Sequence, residues 1–266
     1  MTTGCVIFAY NGDIDYGSQA VLAACLVKKH LGISVTLITD AATLDKTNAS
    51  VFDNIIVTTV ETDNTRILDG KVVAFKNTNR NSVYDLSPYD RTLLIDSDFL
   101  VLSNRLLHYL NADRDFMICE SMKDLLGRPG ANLLLDPASV PMLWATNIIF
   151  NKTAENKILF DLVAHIREHW QYYGALYKFD TRRFRNDYAF SVACHIMGGM
   201  GTDKYYTSLP SPVFFNDKDK VVKILGDSFT ILTDDNLLVK TQGQDIHMMN
   251  KQDILDNYEQ ILEIVK

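Results

Sequence analysis

Short apolar runs, separated by polar turns and amphipathic stretches, set the rhythm of the chain. Cys5-Val6-Ile7-Phe8-Ala9-Tyr10 is an unbroken apolar run of strand length, the pattern of a strand buried on both faces. The polar turn Asn11–Gly17 follows it. From Ser18 to Leu31 the apolar positions Ala20, Val21, Ala24, Leu26, Val27 and Leu31 return at helical spacing, and Gly32 closes the pattern. Ser34–Thr39 and Asn54–Val57 predict two more strands. Strand, helix, strand at this spacing predicts an α/β fold, with a mostly parallel sheet flanked by helices.

The segment Thr59–Leu86 is polar and carries no period until Arg80–Leu86, which predicts a short helix. Leu93-Leu94-Ile95 is the next buried strand, Leu106–Leu110 a short helix and Phe116–Cys119 a strand. Ser121–Ser139, with Gly127, Pro129, Gly130 and Pro137, predicts an excursion loop able to act as a lid. Met142–Phe150 returns to the sheet. Ala154–Tyr173 predicts one helix with an apolar stripe at Ile158, Leu162, Ile166 and Trp170, and Asp187–Met197 a second, ended by Gly198-Gly199. Strands at Val213–Phe215, Leu237–Lys240 and Asp245–Met249 lead to an amphipathic helix over Asp253–Val265. There is no internal repeat and no low-complexity linker, so residues 1–266 are expected to form one domain.

Composition narrows the class only slightly. Apolar residues at 47% and charged residues at 22% are those of an ordinary globular protein large enough for a full core. A net charge of −7 excludes an overall basic nucleic-acid binder. Cys5, Cys25, Cys119 and Cys194 are widely spaced in apolar segments, without zinc-type pairing, as in a reducing compartment. No apolar run reaches spanning length and no charged leader precedes the first strand. A cytoplasmic protein is expected.

The chemistry concentrates where the central strand ends, at Leu94-Ile95-Asp96-Ser97-Asp98. Side chains alternate along a strand, so Asp96 and Asp98 are expected to point one way and Ser97 the other. Two carboxylates at an interior strand tip suit a divalent cation that keeps positions open for phosphate oxygens. Other Asp-x-Asp pairs, at Asp13/Asp15, Asp113/Asp115 and Asp217/Asp219, lie in polar surroundings and lack that strand. Ligands of α/β sheets gather beyond the carboxyl ends of the strands, which puts the Asn11–Tyr16 turn on the same rim. Tyr10, Asn11 and Tyr16 can offer ring faces and an amide to a nucleobase. His247 is the candidate third ligand, with Lys251 one turn on to meet phosphate, and Arg80 can hold pyrophosphate. In 172–188, Lys178, Arg182, Arg183 and Arg185 alternate with Tyr173, Tyr177, Phe179, Phe184 and Tyr188. Such interleaving suits an anionic, base-bearing partner.

Together these segments resemble a GT-A-fold glycosyltransferase, most similar to the glycogenin-like family 8 of retaining enzymes. Phe8-Ala9-Tyr10-Asn11 with Tyr16 resembles the family's first strand and nucleotide-base turn. Arg80, then Tyr84–Arg91 running into Asp96-Ser97-Asp98, resembles its basic residue, helix and Asp-x-Asp. Asn186-Asp187-Tyr188, Leu209-Pro210 with Phe215-Asn216, and Ile246-His247 resemble its later elements. The family's Asn-Ser-Gly stands here as Trp144-Ala145-Thr146, and Lys251 comes two residues early. The resemblance implies a Rossmann-like, mostly parallel sheet and transfer from a nucleotide-diphosphate sugar, taken as a UDP-sugar. It implies Mn2+ or Mg2+ on Asp96, Asp98 and His247, with the 237–266 segment returning the histidine. Ala9, Tyr10, Asn11, Tyr16, Ser97, Arg80 and Lys251 would bind the nucleotide, and Asp187, Arg80 and Lys251 would act in transfer. The acceptor stays open between a glycan, a protein side chain and a modified nucleic-acid base, the last through 172–188.

Two other readings compete. A haloacid-dehalogenase-like phosphatase also uses Asp-x-Asp after an apolar strand, with Asp96 as nucleophile. Leu100 stands where that family wants Thr or Val, and Gly226-Asp227 is its nearest later acidic motif. The non-enzymatic alternative is a sugar- or nucleotide-binding module.

Overall fold

A computed structural model describes residues 1–59, 64–68, 71–74, 76–129, 134–135, 140–201 and 203–265. Seven strands form the main sheet, in the spatial order Thr207–Leu209, Phe116–Cys119, Trp144–Asn151, Arg91–Asp96, Thr3–Ala9, Ser34–Thr39, Asn54–Val57. Trp144–Asn151 runs antiparallel to both neighbours, and the remaining pairings are parallel. The unbroken apolar runs are explained by burial on both faces. Val6, Phe8 and Leu94 pack with Phe160 and Phe190 on one side. Cys5, Ile7, Leu93 and Ile95 meet Ala20, Ala24 and Val27 on the other.

The helix Tyr16–Leu31 begins two residues before the predicted Ser18. The Asp15 carboxylate accepts from the Ser18 N–H, and Gly32 ends the helix with φ 64°. Gly4 is required by close approach, since a Cβ there would meet the ring of Tyr89. That ring is buried and fixed by the Thr36 hydroxyl at 2.8 Å. Arg80–Ser82 is a 3-10 turn that runs into the helix Val83–Leu86, as the pattern predicts.

A second, four-stranded sheet runs in the order Phe99–Leu100, Ile246–Met248, Val213–Phe215, Lys123–Asp124. A third apolar cluster joins Leu100, Phe215, Ile246, Ile254 and Ile261 to Leu22 and Leu26 of the first helix. It anchors the C-terminal elements against the main sheet's helix layer. Lys220–Leu225, Ser228–Leu232 and Leu238–Gln242 form a separate antiparallel sheet, whose first two strands the sequence pattern leaves unassigned.

Three expectations change. The predicted helix Ala154–Tyr173 is two helices, Ala154–Glu168 and Trp170–Tyr177, with His169 between them. Its core face is Leu159, Phe160, Val163 and Ile166, while Ile158 is 58% exposed. A four-residue step taken from Ile158 drifts off the face that a 3.6-residue helix presents to the sheet. Asp253–Val265 likewise divides into Lys251–Asp256 and Tyr258–Val265. Asn257 stands at that break and donates its side-chain amide to the Asp253 carbonyl at 2.8 Å. Within Ser121–Ser139, Lys123–Asp124 pairs with Val213–Phe214, and the Asp124 carboxylate accepts from the Leu126 and Arg128 N–H groups. Residues 130–133 and 136–139, on which the lid expectation falls, lie outside the described residues, as do 60–63, 69–70 and 75 of the polar Thr59–Leu86 stretch. That stretch also contains the hairpin Thr65–Leu68 and Lys71–Ala74. Among the described residues no helix is long and apolar enough to cross a membrane.

Candidate functional site

Asp96 ends the central strand, and Ser97-Asp98 turn the chain into Phe99–Leu100. The turn replaces the expected strand alternation, so Asp96, Ser97 and Asp98 all line one cavity of about 450 Å3. Phe99 pairs with His247, and this short antiparallel ladder carries the imidazole beside the acids. His247 Nε2 lies 3.4 Å from Asp98 Oδ2 and 4.0 Å from Asp96 Oδ2. Ligand atoms of the three residues lie within 4.8 Å of one another.

Electrostatics keep this donor set fit for a cation. Burial pushes the His247 imidazole below the ordinary histidine range; Asp96 and Asp187 oppose the shift and Arg80 adds to it. The neutral ring is the form that ligates metal. Its Nδ1 is buried with no hydrogen-bond partner. Asp98 is 4% exposed and in contact with the Lys251 ammonium, and the guanidinium of Arg80, itself 2% exposed, pairs with Asp96. Arg80 also donates to the Thr146 carbonyl at 3.4 Å, and Lys251 to the Met248 carbonyl at 3.1 Å. Two acids and an imidazole, flanked by two cations, are a donor set that could hold a divalent ion. A second group of ligating type, His165, Glu168 and His169, stands exposed at a helix end and lacks those surroundings.

Asp187 sits in the first turn of Asn186–Met197 and lines the same cavity. It accepts from the Ala145 N–H and from Arg185 Nη2, each at 2.9 Å. Tyr10 and Tyr16 line the cavity, and the Tyr10 hydroxyl lies 3.0 Å from Thr58 Oγ1. Asn11 and Ala9 are not among the lining residues. The Asn11 side chain donates to Asp15 and accepts from the Gly17 N–H, and the Ala9 carbonyl accepts from Thr39.

The basic and aromatic halves of 172–188 separate. Tyr173, Tyr177 and Phe179 are buried, Phe184 packs edge-on to Trp170, and Tyr188 packs against Phe179. Arg182 pairs with Asp180 at the surface, whereas Arg183 and Arg185 line the cavity. Tyr173, Tyr177 and Phe179 thus serve the core, while Phe184 lines the cavity and Tyr172 is exposed. Asn186 of the Asn186-Asp187-Tyr188 element lines the cavity as well. Lys76 and Asn77, which the sequence pattern leaves unmarked, also line it; they stand in a polar stretch without periodicity.

No protein-family model matches the chain, and no curated protein sequence matches it. Among solved structures it is similar to the galactosyltransferase LgtC in complex with donor and acceptor sugar analogs. The TM-score is 0.51 at 11% identity, over 98% of this chain and 95% of that one. It also resembles the glycosyltransferase GlyE of Streptococcus pneumoniae TIGR4, with TM-score 0.44 and 16% identity over 79% of this chain. The chain spans 45% of the GlyE chain's length. A third similar structure is mouse xyloside xylosyltransferase 1, with TM-score 0.43 and 11% identity over 79% of this chain and 85% of that one. The match to LgtC along nearly the whole length of both chains gives this chain the GT-A fold.

Proposed function

We propose that the chain is a metal-dependent, retaining glycosyltransferase of the glycogenin-like kind, moving a sugar from a UDP-sugar to an acceptor. Residues 1–266 then work as one domain, with 237–266 delivering His247. The observation that carries this reading is the convergence of Asp96, Asp98 and His247 on one cavity. A pure binding module has no need for three ligands closing on a cation.

Asp96, Asp98 and His247 would hold Mn2+, or Mg2+ less readily, since an imidazole favours manganese. When bound, the ion neutralises the negative charge that develops on a departing diphosphate. Arg80 and Lys251, seated on the same acids, add positive charge to that end of the cavity. Tyr10 and Tyr16 supply ring surface for the base, Ser97 lines the wall beside the acids, and the Asp187 carboxylate orients the sugar. The acceptor is a glycan, a protein side chain or a modified nucleic-acid base, the last supported by Arg183, Phe184 and Arg185 on the cavity wall.

The phosphatase alternative loses its second motif. Gly226-Asp227 is the turn between Lys220–Leu225 and Ser228–Leu232 and is absent from the cavity wall. The test is a thermal-shift screen of nucleotide-sugars with and without Mn2+, since a ligand of the folded state raises its melting temperature. A Tm rise with UDP-sugars that requires Mn2+, together with donor hydrolysis, is expected. No Mn2+-dependent shift with any nucleotide-sugar sinks the reading, and binding without hydrolysis or transfer revives the module.

A further inference from the structure

A second donor set lies apart from the cavity, at the joint between the helices Ala154–Glu168 and Trp170–Tyr177. Its sequence is His165-Ile166-Arg167-Glu168-His169. Residues three and four apart share a helix face, so His165, Glu168 and His169 belong on one side and Ile166 on another. Ile166 is accordingly buried, and the other three are exposed. The joint does not break that register. The His169 N–H donates to the His165 carbonyl at 3.0 Å, and the Tyr173 N–H to the His169 carbonyl at 3.2 Å.

This backbone brings the imidazoles of His165 and His169 to 4.3 Å between ring centroids, inclined at 53°. The His165 ring also meets Tyr173 edge-on at 6.0 Å. Among the described residues, none of the three side chains has a hydrogen bond or an ion pair. One ligating atom of each lies within 4.8 Å of the others. Tetrahedral coordination with metal–nitrogen bonds of about 2.0–2.1 Å puts two ligand atoms about 3.3 Å apart. Closing to that distance asks for side-chain rotation alone, and exposed side chains rotate without disturbing the core.

Two imidazole nitrogens with one carboxylate suit zinc and its late transition neighbours, whereas magnesium and calcium want oxygen. The donor balance is thus the reverse of Asp96, Asp98 and His247, where oxygen predominates. We propose that His165, Glu168 and His169 form a second metal site, a three-ligand Zn2+ site completed by water. The ion fastens the joint residue His169 to the last turn of the first helix. None of the three residues lines the cavity, so the site braces the fold and does no chemistry there. The second helix that starts at this joint carries Tyr173 and Tyr177 into the core and leads on to Arg183, Phe184 and Arg185 of the cavity wall. This site stands whether or not the chain transfers sugar.

Equilibrium dialysis against Zn2+ counts the sites in the whole chain. The wild type should bind two ions, one at each donor set, and the double variant His165→Gln/His169→Gln should bind one. The triple variant Asp96→Asn/Asp98→Asn/His247→Ala isolates the surface site; it should keep one Zn2+, whose binding raises Tm. In that background His165→Gln, His169→Gln and Glu168→Gln should each weaken Zn2+ binding by about tenfold or more. Should the triple variant fail to fold, the difference of one Zn2+ between the wild type and the exposed double variant decides the matter. Equal Zn2+ counts in those two proteins overturn the site. Single histidine substitutions that leave the affinity almost unchanged also overturn it, because they mark two independent imidazoles and no chelate. An affinity unmoved by Glu168→Gln overturns the three-ligand form.

Discussion

Phe99 and His247 face each other across an antiparallel pair of short strands, and that pairing places a late histidine beside two mid-chain acids. The next rung, Leu100 with Ile246, is buried in the cluster that joins the C-terminal elements to the first helix. Just before the ladder, the Asp245 carboxylate accepts from the Leu102 N–H at 2.9 Å and from the Ser103 hydroxyl at 3.2 Å. The metal-type site is therefore assembled by tertiary packing, and its geometry depends on residues that never touch a ligand.

Asp245→Ala tests that dependence. It leaves the buried Leu102 N–H without an acceptor, a loss of about 1–3 kcal/mol, so Tm should fall. Mn2+ affinity should fall with it, because the strand carrying His247 loses its tie. Asp245→Asn, which keeps an oxygen at the same position, should recover most of both. Calorimetric titration of Mn2+ into the three proteins gives the answer, and equal affinities would show that the ladder alone is sufficient.

Asp98→Ala removes a carboxylate that faces His247 Nε2 and contacts Lys251. If the ion supplies charge stabilisation at the leaving group, the loss is about 3 kcal/mol or more of transition-state stabilisation. Donor hydrolysis should then drop on the order of 100-fold or more, since about 1.4 kcal/mol is a factor of ten. Unchanged hydrolysis at saturating Mn2+ would dissociate the Asp96/Asp98 pair from catalysis.

Most of the main sheet was legible because its strands are buried on both faces, and burial writes itself as unbroken apolar runs. Ser34–Thr39 and Phe116–Cys119 match their predicted bounds for that reason, while Asn54–Val57 matches them as a half-exposed edge strand. Asp96, Asp98 and His247 were legible as types and in context, the acids at a strand tip and the histidine on a short strand. What the chain does not announce is where a helix breaks. His169 and Asn257 interrupt helices whose apolar pattern continues through them. The hairpin Lys220–Leu225 and Ser228–Leu232 was missed because exposed Val222 and Leu225 blur the alternation that marks a strand. The basic and aromatic alternation of 172–188 does not announce that Tyr173, Tyr177 and Phe179 are buried while Phe184 lines the cavity, a division that only packing decides.

Asp15 gives a pH-dependent prediction. Burial pushes its carboxyl up, but hydrogen bonds from the Ser18 hydroxyl and N–H, the Asn11 amide and the Gly17 N–H outweigh that and hold it below the ordinary aspartate range. A folded-state value below the unfolded one contributes stability that is present above the unfolded value, near 4, and lost as pH falls through the folded one. Asp15→Asn keeps an N-cap acceptor without the titration, so its Tm should decline less than the wild type's between about pH 5 and pH 3. Asp15→Ala should cost about 1 kcal/mol at neutral pH. Parallel Tm curves for wild type and Asp15→Asn across the acid range would show that this carboxylate does not report on folding.

Metal choice separates the imidazole from the acids. The set Asp96, Asp98 and His247 mixes hard oxygen donors with a nitrogen donor, which favours manganese over magnesium. Chelation should abolish donor hydrolysis, and added Mn2+ should restore it at lower concentration than Mg2+. His247→Ala removes the nitrogen donor. Loss of a supporting residue in a metal site typically costs 10–100-fold in affinity, and loss of a ligand should cost at least that. His247→Asp substitutes oxygen for nitrogen, so the preference for Mn2+ over Mg2+ should shrink even where overall affinity partly returns. Mn2+ binding followed by electron paramagnetic resonance, with Mg2+ as competitor, measures both quantities. A Kd and a selectivity that survive both substitutions would place the ion elsewhere and leave His247 as a packing residue of the second sheet.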